Sequence, residues 1–138
     1  MNIKKNFKTL LISTIIFPTL SFANNHKIEI TQIIGLRLSD SNDRYIMEEC
    51  KRWKLTEEEI DNIFKMSNEY EYNPYHSFMQ SPCDIKGKAK LHHEIWDFSI
   101  TGGGIITLTH QNKEIYLGCD ILVCEPFFIL PTFNAMEP

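Results

Sequence analysis

The chain has little of what catalytic and nucleotide-binding sites are built from. Its 138 residues contain no paired CxxC and no HExxH, the spacings by which zinc ligands usually converge. The one glycine run, Gly102-Gly103-Gly104, is followed by no P-loop lysine and no helix start, so it is not a phosphate loop. The 18 acids are scattered, and no spacing singles out a carboxylate pair for glycoside hydrolysis. Basic residues are outnumbered, 14 against 18, which makes nucleic acid and anionic membrane surfaces poor partners. There are no internal repeats and no low-complexity segment. The first apolar run, residues 10–20, is too short for a comfortable membrane span and contains Pro18.

That run has a different meaning. Lys4, Lys5 and Lys8 precede it, and Ser21, Phe22 and Ala23 follow it. A charged start, a short apolar body and a small-x-small end are the three parts of a secretory leader. Cleavage is expected after Ala23, with no stable membrane anchor left behind. No cysteine follows the cut that could carry a lipid. Residues 1–23 then form the signal peptide and residues 24–138 a single mature domain of 115 residues. With three lysines gone, 11 basic residues face 18 acids, a net charge of −7. Such a charge keeps an exported protein in solution and also suits a basic protein partner.

All four cysteines, Cys50, Cys83, Cys119 and Cys124, lie in the mature region. An even count in a short exported chain predicts two disulfides, for which three connectivities exist. The close pair Cys119 and Cys124 is favoured for one, which leaves Cys50 with Cys83. A cysteine nucleophile paired with a histidine is conceivable, but bridges explain all four thiols more economically.

The pattern predicts an α+β domain: an N-terminal strand, two helices, then an antiparallel β-meander braced by two disulfides. Residues 26–38 place Ile28, Ile30, Ile34, Leu36 and Leu38 on one parity, which favours a strand. Ile30, Ile33, Ile34 and Leu38 also form a helical stripe. Ser39 to Asp43 are turn formers and caps, and a helix is expected over residues 42–53 with Ile46, Cys50 and Trp53 inward. Thr56 and Glu59 form a capping box and Leu55 and Ile60 a hydrophobic staple. They open a second helix over residues 57–70 that buries Ile60, Ile63, Phe64 and Ser67. Glu57, Glu58 and Glu59 sit in its first turn, where the helix dipole favours acids.

The meander is written most clearly from Trp96 to Cys124. Trp96, Phe98 and Ile100 alternate with Asp97, Ser99 and Thr101, the period of a half-buried strand. The glycine run marks a reversal, residues 105–109 and 114–117 supply further strands, and residues 85–91 pair with the Trp96 strand through a His92-His93 turn. Lys86, Lys88 and Lys90 suggest that residues 85–91 lie at a solvent-facing edge. The apolar tail, residues 125–131, is expected to add one last short strand between its prolines, and residues 132–138 an unstructured end.

The order Pro82-Cys83, Gly87, Trp96-x-Phe98-x-Ile100-x-Gly102-Gly103, Gly118-Cys119 and Cys124-x-Pro126 resembles small exported bacterial proteins of the periplasmic immunity-protein type. The likeness covers the C-terminal half. It implies a non-enzymatic inhibitor that neutralises an antibacterial effector toxin or hydrolase in the periplasm. Such a protein needs no catalytic, cofactor-binding or metal-ligating residue, and none is assigned. For its contact region the acidic Glu57, Glu58 and Asp61 and the loop tyrosines Tyr72 and Tyr75 are the candidates, since rigid rings anchor partners at low entropic cost. The same loop could instead fold back over the core edge. Two alternatives have other requirements. A small enzyme or ligand carrier would place its site over the sheet near the glycine turn, using His92, His93 or Asp97; an envelope structural or assembly protein would need no such site. The histidines His92, His93, His76 and His110 with Glu94 lack zinc-site spacing, and neighbours in a strand point to opposite faces.

Overall fold

A computed structural model describes residues 27–131. The expected signal peptide (residues 1–23), residues 24–26 and the expected unstructured end (residues 132–138) lie outside the described residues.

Helix starts follow the local chemistry read from the sequence. Asp43 accepts the Ile46 amide at 3.1 Å and caps α1, Arg44–Arg52. Thr56 caps α2, Glu57–Met66, through a closed capping box: the Glu59 amide donates to Thr56 Oγ1 at 3.1 Å and the Thr56 amide to Glu59 Oε1 at 2.8 Å. Six antiparallel strands follow the β-branched, alternating stretches: β1 Glu29–Leu38, β2 Asn68–Tyr70, β3 Cys83–Leu91, β4 Glu94–Thr101, β5 Ile105–His110 and β6 Lys113–Gly118. Their order across the sheet is β1-β3-β4-β5-β6-β2. The ambiguous N-terminal segment is therefore a strand. The His92-His93 turn joins β3 to β4 with both residues at positive φ, 54° and 66°, the requirement of a two-residue hairpin whose twist matches its strands.

One face of the sheet carries the core. Ile85, Ala89, Trp96, Phe98, Ile100, Ile106 and Leu108 are buried against Ile60, Ile63 and Phe64 of α2. Phe64 meets Phe98 edge to face at 5.4 Å, and full burial of one such ring contributes roughly 1.5–3 kcal/mol. Both disulfides form as expected: Cys50 of α1 with Cys83 at the start of β3, and Cys119 with Cys124 just beyond β6.

Three expectations are corrected. Helix α2 ends at Met66, and residues 68–70 are β2; Tyr70 pairs with Tyr116, so a cross-strand partner outweighs continuation of the helix. Strand β3 is interior, between β1 and β4. Lys86, Lys88 and Lys90 line the sheet face away from the helices rather than an edge. The tail forms no strand: Leu122–Phe127 is a 3-10 helix containing Pro126. Beyond it, the Ile129 and Leu130 amides both donate to the Gly102 carbonyl, at 3.0 and 3.2 Å, in place of a ladder.

Candidate partner interface

The two faces of the sheet differ in cover. The helices close one. On the other, Phe78 is buried over the glycine turn and the end of β6, where a Cβ at Gly118 would run into the rings of Phe78 and Tyr70. Gly104, at φ 108°, adopts the left-handed region that its turn requires. The rest of that face is mainly polar, with Ile95 exposed opposite Lys90. Asp84, buried, accepts both Arg37 Nε at 3.1 Å and Nη2 at 2.9 Å, and also Ser99 Oγ at 2.8 Å. The carboxylate raises the Arg37 pKa through this hydrogen bond and its charge. Lys88 pairs with Asp97 at 2.6 Å.

Beyond β6 the chain makes a strongly exposed aliphatic loop. Cys119 and Cys124 are both fully buried, yet the loop that they close presents Ile121, Leu122 and Val123 at 43%, 63% and 59% exposure. The loop is held from three sides. The Cys119 amide donates to the Gly104 carbonyl at 3.0 Å, and the Cys124 amide to Ile121 at 2.9 Å. Asp120 accepts Asn68 Nδ2 at 3.2 Å and the Tyr70 hydroxyl at 3.0 Å. Burial first, then this bond to Asp120, pushes the Tyr70 pKa up to about 12. The 3-10 helix Leu122–Phe127, which begins within the loop, contacts α2, and Trp53 Nε1 of the helical layer donates to the Phe127 carbonyl at 2.8 Å.

The residues singled out in the sequence lie on α2 and on the segment that follows β2. Glu57 and Glu58 are exposed on the first turn of α2, and Asp61 pairs with Lys65 at 2.9 Å. The tyrosine segment divides in its exposure. Tyr70 folds back, T-shaped against Phe78 at 6.1 Å, whereas Tyr72 and Tyr75 stay out at 76% and 49% exposure. Tyr75 stacks on His76 with centroids 3.9 Å apart. The loop thus meets α2 through its 3-10 helix and meets β2 through Asp120. Sequence reasoning missed Ile121 to Val123. Three apolar residues between cysteines five positions apart were the available signal.

The residues of the ligand-site alternative are dispersed. Residues 92 and 93 form the β3–β4 turn, at the end of β4 opposite the glycine turn. Asp97 lies on the polar face, whereas His92 lines a pocket on the helical side with Phe64, Leu91, Leu108 and Ile115. Its volume is about 150 Å³, below the roughly 300–1,000 Å³ usual for small-molecule sites. At that end of the sheet Glu94 pairs with Lys113 at 2.9 Å and with His110 at 3.3 Å, and Lys113 lies 5.4 Å over Trp96. The Lys113 hydrogen bond, with help from His110, holds the Glu94 carboxyl below the usual glutamate range. Among the described residues, no three His, Cys, Asp or Glu side chains gather as a metal site, and no helix is long and apolar enough to cross a membrane.

No family model, curated protein or solved structure matches the chain.

Proposed function

We propose that this chain is an exported binding protein of the immunity type, which neutralises an antibacterial effector in the periplasm by docking it on the Cys119–Cys124 loop. The observation that carries the reading is the contrast at that loop: Ile121, Leu122 and Val123 are exposed while their disulfide, Asp120 and the glycine turn hold the backbone. An apolar group fixed before binding loses little further entropy when a partner covers it, so more of the burial appears as affinity. Tyr72 and Tyr75 add aromatic rings of the kind that dominate interfaces. The acids Glu57, Glu58 and Asp61, with a mature net charge of −7, favour a basic effector and speed its encounter. Inhibition needs only occupancy of the effector's working surface, and no residue here performs chemistry. The leader and the two bridges support export to an oxidising compartment.

The test is capture by the oxidised protein from cells carrying candidate effectors, with wild type and Leu122→Asp side by side. One stoichiometric effector, held by wild type and lost with the variant, is expected. Truncating or charging a central anchor costs at least about 2 kcal/mol, roughly 30-fold in Kd. Equal capture by both proteins would remove the loop from the interface, and capture of no effector would remove the inhibitor reading.

A further inference from the structure

Strand β1 ends the sheet opposite β2, and its outer backbone edge has no strand beside it among the described residues. It is also the apolar edge. Ile33, Ile34, Leu36 and Leu38 are 37%, 58%, 38% and 40% exposed, and none belongs to the buried core. Edge strands are normally blunted by charge, proline, brevity or bulges, and β1 has two irregularities, between Ile30 and Gln32 and between Ile33 and Gly35. This one spans 10 residues, contains no proline, and carries only Glu29 and Arg37 as charges.

Those two charges are placed symmetrically about Ile33. When a second copy of β1 is laid antiparallel along the first with Ile33 opposite Ile33, Glu29 of each copy faces Arg37 of the other. Ile30 then faces Leu36, and Ile28 faces Leu38. Opposed residues in an antiparallel pair must point to the same side of the sheet, a condition that the bulges of β1 could have broken. They do not break it. Across β3, Ile30, Ile33, Leu36 and Leu38 are registered with Ala89, Gly87, Ile85 and Cys83, on the helical side; Glu29 and Arg37 are registered with Lys90 and Asp84, on the polar side. The irregularities at Thr31 and Ile34 shift the parity twice, and the self-pairing register keeps like side with like side at each of the pairs named.

We infer that the protein forms a two-fold dimer through β1, joining two six-stranded sheets into one. Charge complementarity selects a second copy as the occupant: Glu29 of each copy approaches Arg37 of the other, already held by its own Asp84, at matched distances from the axis. The interface is isologous and closes on itself. The remaining edge of each sheet is the three-residue β2, too short to propagate a fibre. Because β1 and β2 lie at opposite edges, the dimer leaves both copies of the disulfide loop free. A partner bound there would be met by a bivalent protein.

Sedimentation equilibrium of the full chain, expressed with its own leader and purified oxidised, tests this directly. Wild type is expected to dimerise at or below about 100 μM. Ile33→Lys places a charge on the axis of the seam, and Glu29→Arg sets like charges opposite one another; each should weaken association at least about tenfold. Both sites are exposed, so circular dichroism of the variants should match wild type. A wild type that stays monomeric through that range overturns the inference, as does a dimer that both variants leave intact. Neither result bears on capture of an effector by the loop, which is read with Leu122→Asp.

Discussion

Removing the two disulfides one at a time should separate what each contributes. Cys50 and Cys83 are 33 positions apart, Cys119 and Cys124 only 5. Closing a loop removes entropy from the unfolded chain in proportion to the logarithm of its length, which gives about 4 kcal/mol for the long bridge and about 2 kcal/mol for the short one. The four sulfurs are similarly buried, between 0% and 4% exposed by residue, so replacing each pair by alanine costs a similar packing term and the difference survives. Urea unfolding at neutral pH of Cys50→Ala/Cys83→Ala and Cys119→Ala/Cys124→Ala reads it. The long-bridge variant should be the less stable by about 1.7 kcal/mol, the difference before rounding. In a domain of this size that is a gap of roughly 7–14 °C in melting temperature. Equal losses, or a larger loss for the short bridge, would refute the argument from loop length. The short-bridge variant has a second expected effect: its loop should become the first region to exchange amide hydrogens, because Asp120 and the glycine turn alone would then hold it.

The other predictions read different parts of the fold. Phe98→Ala opens a cavity beneath Phe64 in the centre of the sheet and should cost about 3–5 kcal/mol in the same unfolding assay; a loss under 1 kcal/mol would show that the core collapses around it. At Gly103 a Cβ would collide with the Met79 carbonyl, so Gly103→Ala should destabilise by about 1–3 kcal/mol, and an unchanged midpoint would count against the packing described for this turn. Of the five tyrosines, Tyr70 should ionise late, near pH 12, with Tyr116, whose pKa its Glu114 bond raises, also delayed. Tyr70→Phe should remove the Tyr70 component from an ultraviolet titration; survival of that component would reassign it. Since the folded pKa is the higher one, the stability linked to Tyr70 is full below pH 10 and fades as pH rises towards 12. Glu94 behaves in the opposite sense. Its folded pKa lies below the ordinary 4.5, so its contribution is present above that value and lost as pH falls through the lowered one. Glu94→Gln should flatten the acid limb of a stability–pH profile, and a superimposable profile would contradict the pairing with Lys113.

The fold was legible where local chemistry and tertiary packing agree. The capping box at Thr56 and Glu59, the parity of Trp96, Phe98 and Ile100, and the cysteine spacing each have one low-energy solution, and each is found. It was obscure where a distant partner decides. Asn68 to Tyr70 continue the periodicity of α2, and only pairing with Tyr116 to Gly118 draws them into a strand. The three lysines of β3 read as an edge because a fully polar face and an edge have the same period; the placement of β1 beside them was not visible locally. Residues 125–131 have strand composition, but the donors of Ile129 and Leu130 are taken by a single carbonyl of the glycine turn. For the candidate interface, which tyrosine turns inward depends on Phe78 and Asp120, far apart in the chain, and not on local pattern. The exposure of Ile121 to Val123 runs against the usual inference from apolar residues to core, and only the buried disulfide beneath them explains it.

The central claim, protection of a cell by an exported inhibitor, is tested most directly by competition between sibling cells. A strand of evidence that needs no knowledge of the effector is the survival of a strain lacking this gene when grown in contact with its parent. Loss of the gene should leave the mutant outcompeted; the full chain should restore survival, while a form without residues 1–23 and the Leu122→Asp form should not. Undiminished survival of the mutant, or rescue by the form that lacks the leader, would contradict the account.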